Sequence, residues 1–127
     1  MNHIITIPLV PPSPNELRRK YRHPLAYRKL RKLWEQELFY GMACSRHRQE
    51  LLAAAAASER MRVEIVVHHT KEFDPDNLPG ACKPILDAMK NCGYIVDDNE
   101  KKLQLIPPAQ VLSQEKKTVI KIGPSVP

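Results

Sequence analysis

Met61-Arg62-Val63-Glu64-Ile65-Val66-Val67-His68-His69 is the clearest strand in the chain, and the other elements are placed around it. Val63, Ile65 and Val67 fall on one side, and Arg62, Glu64 and His68 on the other. Successive side chains of an extended backbone point to opposite faces, so a period of two marks one buried and one polar face. Val66 makes the polar side partly apolar, which places the strand inside a sheet rather than at its margin.

Upstream, His3–Val10 is rich in β-branched residues and stops at Pro11-Pro12, which predicts a first strand. Ser13-Pro14-Asn15-Glu16 has the form of a capping box, with Ser13 as N-cap, Pro14 at N1 and Glu16 at N3. An ordered loop over Pro12–Asn15 is the alternative. From Pro24, Leu30, Leu33, Trp34 and Leu38 recur at spacings of three and four, with Arg28, Lys29, Arg31 and Lys32 opposite, which predicts an amphipathic helix that Gly41 would interrupt. A second helical stretch is expected from about Ser45 to Ala57.

Downstream, Leu78, Cys82, Ile85, Leu86 and Met89 mark one helix face, ending near Gly93, a suitable C′ residue. Lys101–Ile106 and Lys117–Ile122 are the closing strands, joined by Pro107–Glu115, and Gly123–Pro127 is expected to fray. The reading is an α+β domain over residues 1–127, with a small mixed sheet of about four strands and helices packed against it.

At 127 residues the chain suits one domain with a modest core. Its net charge of +6 is uneven: residues 1–50 carry ten Lys/Arg against four Asp/Glu, whereas residues 51–127 carry ten of each. Excess positive charge in the first half suits phosphate binding, although a solvated basic helix has the same composition. Cys44, Cys82 and Cys92 are odd in number and lack C-x-x-C spacing, so they read as reduced thiols, and the five histidines complete no zinc pattern with them. No apolar run is long enough to span a bilayer, and the start of the chain lacks signal-peptide form. The expectation is a cytoplasmic protein without a membrane partner.

The chemistry concentrates in Phe73-Asp74-Pro75-Asp76-Asn77-Leu78. Pro75 favours an extended Asp74, and in an extended stretch Asp74 and Asp76 would share a face. Two close carboxylates repel unless a cation lies between them, and oxygen-only ligands suit Mg²⁺, with Mn²⁺ as the alternative. The competing explanation is a turn whose Asp76 or Asn77 caps the next helix. Asp97-Asp98 follows that helix, where the chain returns towards the sheet; a solvated acidic turn is the other explanation. Lys83 lies beside the apolar stripe, four residues before Asp87. Base before acid is the weaker order for a helical ion pair, so contact with a phosphate is the more specific explanation.

Asp74-x-Asp76-Asn77-Leu78, Lys83-x-x-x-Asp87-Ala88-Met89, Gly93 and Asp97-Asp98 together resemble the central signature of the RusA family of Holliday-junction resolvases. Pro11-Pro12-Ser13-x-Asn15 is similar to that family's N-terminal motif. The resemblance runs in order from the first strand to the closing hairpin. It implies a RusA-like fold with a catalytic core over 61–106. Asp74, Asp76 and Asp98 would be Mg²⁺ ligands, with Asp97 ranked behind Asp98, and Lys83 the essential lysine. Asn77 would support the site at the helix start and Asp87 through a contact behind the reacting groups. Asn15, Arg18, Arg19, Lys20, Arg22 and Lys71 would touch DNA.

Two departures stand out. Leu78–Cys82 is longer than the corresponding family segment, and Pro79-Gly80 would add a turn before Lys83. The stretch before Asp74 is less basic than in the family, and Glu72 opposes phosphate. The implied activity is Mg²⁺-dependent resolution of four-way junctions by paired symmetric nicks in DNA recombination and repair, by a bacterial or phage-encoded homodimer. The alternatives are a junction-binding protein that does not cut, and a nuclease for other branched DNA.

Overall fold

The computed structural model describes residues 3–43, 48–57, 59–71 and 73–125. Along the chain it holds β1 (His3–Ile7), α1 (Pro14–Lys20), α2 (Pro24–Met42), α3 (Arg48–Ala56), β2 (Met61–His69), α4 (Leu78–Ala81), α5 (Lys83–Cys92), β3 (Leu103–Leu105), β4 (Ala109–Leu112) and β5 (Lys117–Pro124). The strands form one mixed sheet. β5 lies between β1 and β2, antiparallel to both, while β3 and β4 run parallel to β2 along its other side. The α+β expectation holds, with one strand more than the four expected.

β2 is interior, as its pattern implied. Met61, Val63, Ile65, Val67 and His69 are buried, and the residues between them are half-buried. The closing strands do not make a hairpin, because β2 separates β3 from β5. β4 lies inside the stretch expected to be a connection. Pro107 and Pro108 have no N–H for a ladder, so the edge breaks there, although Ile106 N–H still donates to Val63 C=O (3.0 Å). Pairing resumes at Val66↔Ala109, one residue out of step with Val63↔Leu105, so β3 and β4 act as a single edge strand with a bulge between them.

α2 buries Leu30, Trp34, Leu38 and Met42, one residue per turn, against β1 and α5. Each such side chain contributes about 1.5–3 kcal/mol of transfer free energy. Leu33, expected in that stripe, is instead 41% exposed. Gly41 does not interrupt the helix, which continues to Met42. Its missing side chain lets α2 approach β1, since a Cβ there would collide with Ile5 Cγ2. Ser45, the expected start of the second helix, lies outside the described residues, and α3 is seen from Arg48.

The caps agree with the residues that suggested them. Ser13 Oγ accepts from the Glu16 N–H (3.2 Å), with Pro14 in the first turn of α1. Gly93 ends α5 at φ 84°, and Tyr94 N–H donates to Met89 C=O (3.0 Å), the outer bond of a Schellman motif. The expected single helix from Leu78 is split at Cys82. Pro84 has no N–H to give to Gly80, so a continuous helix cannot form and α5 starts afresh at Lys83. Burial pushes the Cys82 thiol up to about 12, which agrees with an inert reduced cysteine.

At the chain end the expected fray needs correction as far as residue 125. β5 runs through Pro124, Gly123 is buried, and Ser125 N–H donates to Arg60 C=O (2.7 Å). Among the described residues no helix is long and apolar enough to cross a membrane.

Candidate functional site

β2 delivers the chain into the acidic segment, and β4 holds it there. Gln110 of β4 bonds Phe73 on both sides, accepting from its N–H (2.9 Å) and donating to its C=O (2.7 Å). With the amide oriented that way, His69 Nε2 at 3.0 Å from Gln110 Oε1 must be the donor. The His69 and Phe73 rings lie 4.8 Å apart. Gln110 was not legible as a site residue, because it gains its role only from pairing beside Val67 in a strand the sequence did not announce.

Beyond Phe73 the expected extended stretch is replaced by a turn. Asn77 N–H donates to Asp74 C=O (2.9 Å), with Pro75 in the second position, where its fixed φ suits a β-turn. Asp74, Asp76 and Asn77 are all exposed. Asn77 is the N-cap of α4 by position, and its C=O accepts from Ala81 N–H (3.1 Å), but its side chain makes no capping bond.

The second acidic pair divides its work. Asp97 Oδ1 accepts from Asp98 N–H (2.8 Å) and from Lys90 Nζ (3.3 Å), while Oδ2 accepts from Asn99 Nδ2 (3.2 Å). The bonds from Asp98, with the Lys90 ammonium, hold the Asp97 carboxyl below the ordinary carboxylate range. Asp97 is thus occupied in shaping its own loop, whereas the Asp98 side chain is exposed. The donor chemistry of Asp74, Asp76 and Asp98 suits Mg²⁺ or Mn²⁺. Even so, among the described residues no three His, Cys, Asp or Glu side chains gather as a group that could hold a metal ion.

The basic residues do converge. Leu78–Ala81, the segment longer than the family pattern, forms the extra turn α4, which packs against α1. Lys83 then opens α5 and, with Arg18 and Arg22, lines a recess of about 530 Å³ whose other lining among the described residues is Leu17 and Tyr27. Asn15 Oδ1 accepts from Arg18 Nη2, which orients the guanidinium. Lys20 pairs with Glu16 (3.9 Å). Arg19 is exposed on α1 and does not line this recess. Lys71 lines a separate recess, and Glu72 lies outside the described residues.

Asp87 underlies the cationic recess. Its Oδ1 stands 3.7 Å from Lys83 Nζ, so the ion pair judged weak from residue order does form, with Lys83 64% exposed. Its Oδ2 accepts from the Tyr27 hydroxyl. Burial, then the bond to Asp87 and its charge, push the Tyr27 hydroxyl above the ordinary tyrosine range, so it stays protonated.

Comparison with protein-family models gave no match, and comparison with curated proteins gave none. The functional reading therefore rests on this geometry and on the ordered motifs. Tyr27 is the residue that sequence reasoning missed here: nothing in its local pattern distinguishes it from an ordinary surface tyrosine on α2. Three cations around one recess, with a single carboxylate beneath, leave an excess of positive charge that an anion such as phosphate would relieve.

Proposed function

We propose that the chain is a structure-selective endodeoxyribonuclease that resolves four-way DNA junctions, acting as a cytoplasmic homodimer in recombination and repair. The observation that carries this reading is the recess shared by Arg18, Arg22 and Lys83, reached within six residues of the Asp74–Asn77 turn. Arg18 and Arg22 bind backbone phosphates, which positions the strand without reading its sequence. Lys83 carries its charge to the phosphate under attack, and Asp87 with Tyr27 keeps that ammonium in place. Asp74, Asp76 and Asp98 are the acidic side of the reaction. Mg²⁺ or Mn²⁺, when bound, supplies water activation and charge neutralisation. The two symmetric nicks match a two-fold dimer on a two-fold substrate.

A second reading is favoured by one observation, that the three aspartates do not stand together as a metal-holding group among the described residues. On that reading the protein binds junctions and does not cut them. Incubating a labelled synthetic four-way junction with and without Mg²⁺ separates the two. Paired nicks that vanish in Asp76→Asn, with binding retained, support the resolvase. Binding without nicks under any divalent ion supports the binder. Cutting of flaps in preference to four-way junctions points to a nuclease of other branched DNA.

A further inference from the structure

A second recess, about 580 Å³, opens between the proline-rich segment after β1, α2 and the end of β2. Its size is that of a small-ligand site. Trp34, only 1% exposed, lies at its floor, and Leu33, Tyr21 and Phe73 are among its lining. The exposure of Leu33, which breaks the expected stripe, is explained by its place at this opening. Pro11 and Pro12 make one rim and offer no N–H donors. That rim is tied down, because Thr118 Oγ1 donates to Leu9 C=O (2.6 Å). The opposite wall is held by the bonds of Gln110 to Phe73 and His69.

The recess therefore has fixed apolar and aromatic walls, but among the described residues its charged lining is mostly cationic. Lys71 and Lys116 both line it. Glu16 does too, and its carboxylate is partly answered by Lys20. A purely apolar occupant would leave the two ammonium groups unused, and a bare anion would leave the aromatic walls unused. A flat apolar body with an attached anion uses both. Lys71 and Phe73 directly precede the Asp74–Asn77 turn, so such a ligand would lie beside the acidic segment.

We infer that this recess takes one unstacked nucleobase of a DNA strand, with the adjoining phosphate held by Lys71 and Lys116. The inference rests on the DNA-binding reading above. Extrusion costs least for a base that is already unpaired or poorly stacked, and stacking on aromatic side chains accepts any base.

Trp34 is the single tryptophan of the chain, so its emission reports occupancy of the recess. The full chain is titrated, without divalent ion or junction, with deoxyadenosine monophosphate, thymidine monophosphate and inorganic phosphate. Nucleotides are expected to give a saturable change that inorganic phosphate does not. Leu33→Glu should weaken the nucleotide response about tenfold or more, with circular dichroism confirming its fold. An equal response to inorganic phosphate, or no saturable response at millimolar nucleotide, overturns the inference. A four-way junction carrying 2-aminopurine at its branch point gives the second measurement. Emission from the bound junction should rise with the natural chain and not with Leu33→Glu. Junction binding without any rise overturns the nucleobase site and leaves the DNA reading standing. Absence of junction binding overturns the DNA reading, and with it a DNA strand as the source of the base.

Discussion

The hydroxyl of Tyr27 on α2 donates to the carboxylate of Asp87 on α5, 60 residues further along the chain. The same carboxylate faces Lys83 with its other oxygen, at 3.7 Å. One aspartate therefore joins the packing of two helices to the position of a cation at the rim of the recess. Removing the hydroxyl should release both. Tyr27→Phe is expected to lower stability by about 1–2 kcal/mol, the range for a bond to a charged acceptor at a partly exposed site. A tyrosine raised in the folded state contributes stability that is fully present below its unfolded pKa of about 10 and is lost as pH rises above it. Denaturant unfolding of the natural chain should weaken above that pH, and Tyr27→Phe should lack this component. Identical alkaline profiles for the two proteins would show that the bond adds nothing.

Arg18 and Arg22 line the cationic recess from α1 and the segment after it. Replacing both by alanine should weaken junction binding to all sequences alike and reduce the salt dependence by about one counterion for each phosphate that is no longer neutralised. Lys83→Ala should lower cutting more than binding. The checks are binding isotherms across a salt series, with cleavage rates at saturating protein. An unchanged slope in the double variant would place the phosphate-binding groups elsewhere.

Asp97 and Asp98 are adjacent but not equivalent. Asp97 accepts bonds from Asp98, Lys90 and Asn99, and its carboxyl is held below the ordinary range. A lowered carboxylate contributes stability that is present above the unfolded pKa of about 3.9 and is lost as pH falls through its lowered folded value. The side-chain carboxyl signal of Asp97 followed by NMR should titrate below the ordinary aspartate range. Asp97→Asn should loosen the loop yet keep most cutting, while Asp98→Asn should remove it. Equal loss of cutting in both variants would reverse the ranking.

Gly41 sits where α2 meets β1, and a Cβ there would strike Ile5. Gly41→Ala should raise intrinsic helix propensity yet destabilise the domain by about 1–3 kcal/mol through overpacking. Pairing it with Ile5→Ala, which removes the Cγ2 methyl that a Cβ at Gly41 would strike, should cost less than the sum of the two separate losses. Thermal unfolding of the single and double variants measures both; a Gly41→Ala protein as stable as its parent would mean that the two elements can separate freely.

Much of the framework was legible from local rules. β2 announces itself by alternation broken only at Val66, α1 by Ser13 and Glu16, and the end of α5 by Gly93, because each depends on residues within one turn or one strand. The breaks were harder. Pro84 splits the helix expected from Leu78, and Pro107-Pro108 hide a strand on their far side. In both places a proline cancels one hydrogen bond, and only the neighbouring element determines what the chain does next.

The sequence by itself determined the alternation of the central strand, the helix caps, the placing of excess positive charge before residue 51, and the order of the acidic motifs. The tertiary structure alone decided that Gln110 grips Phe73, that Leu33 opens onto a recess, and that Tyr27 meets Asp87 beneath Lys83. The reason lies in the range of the interactions. Alternation and caps are set by a residue and its nearest neighbours, whereas a recess is set by side chains from separate elements. Their meeting depends on how the whole core packs.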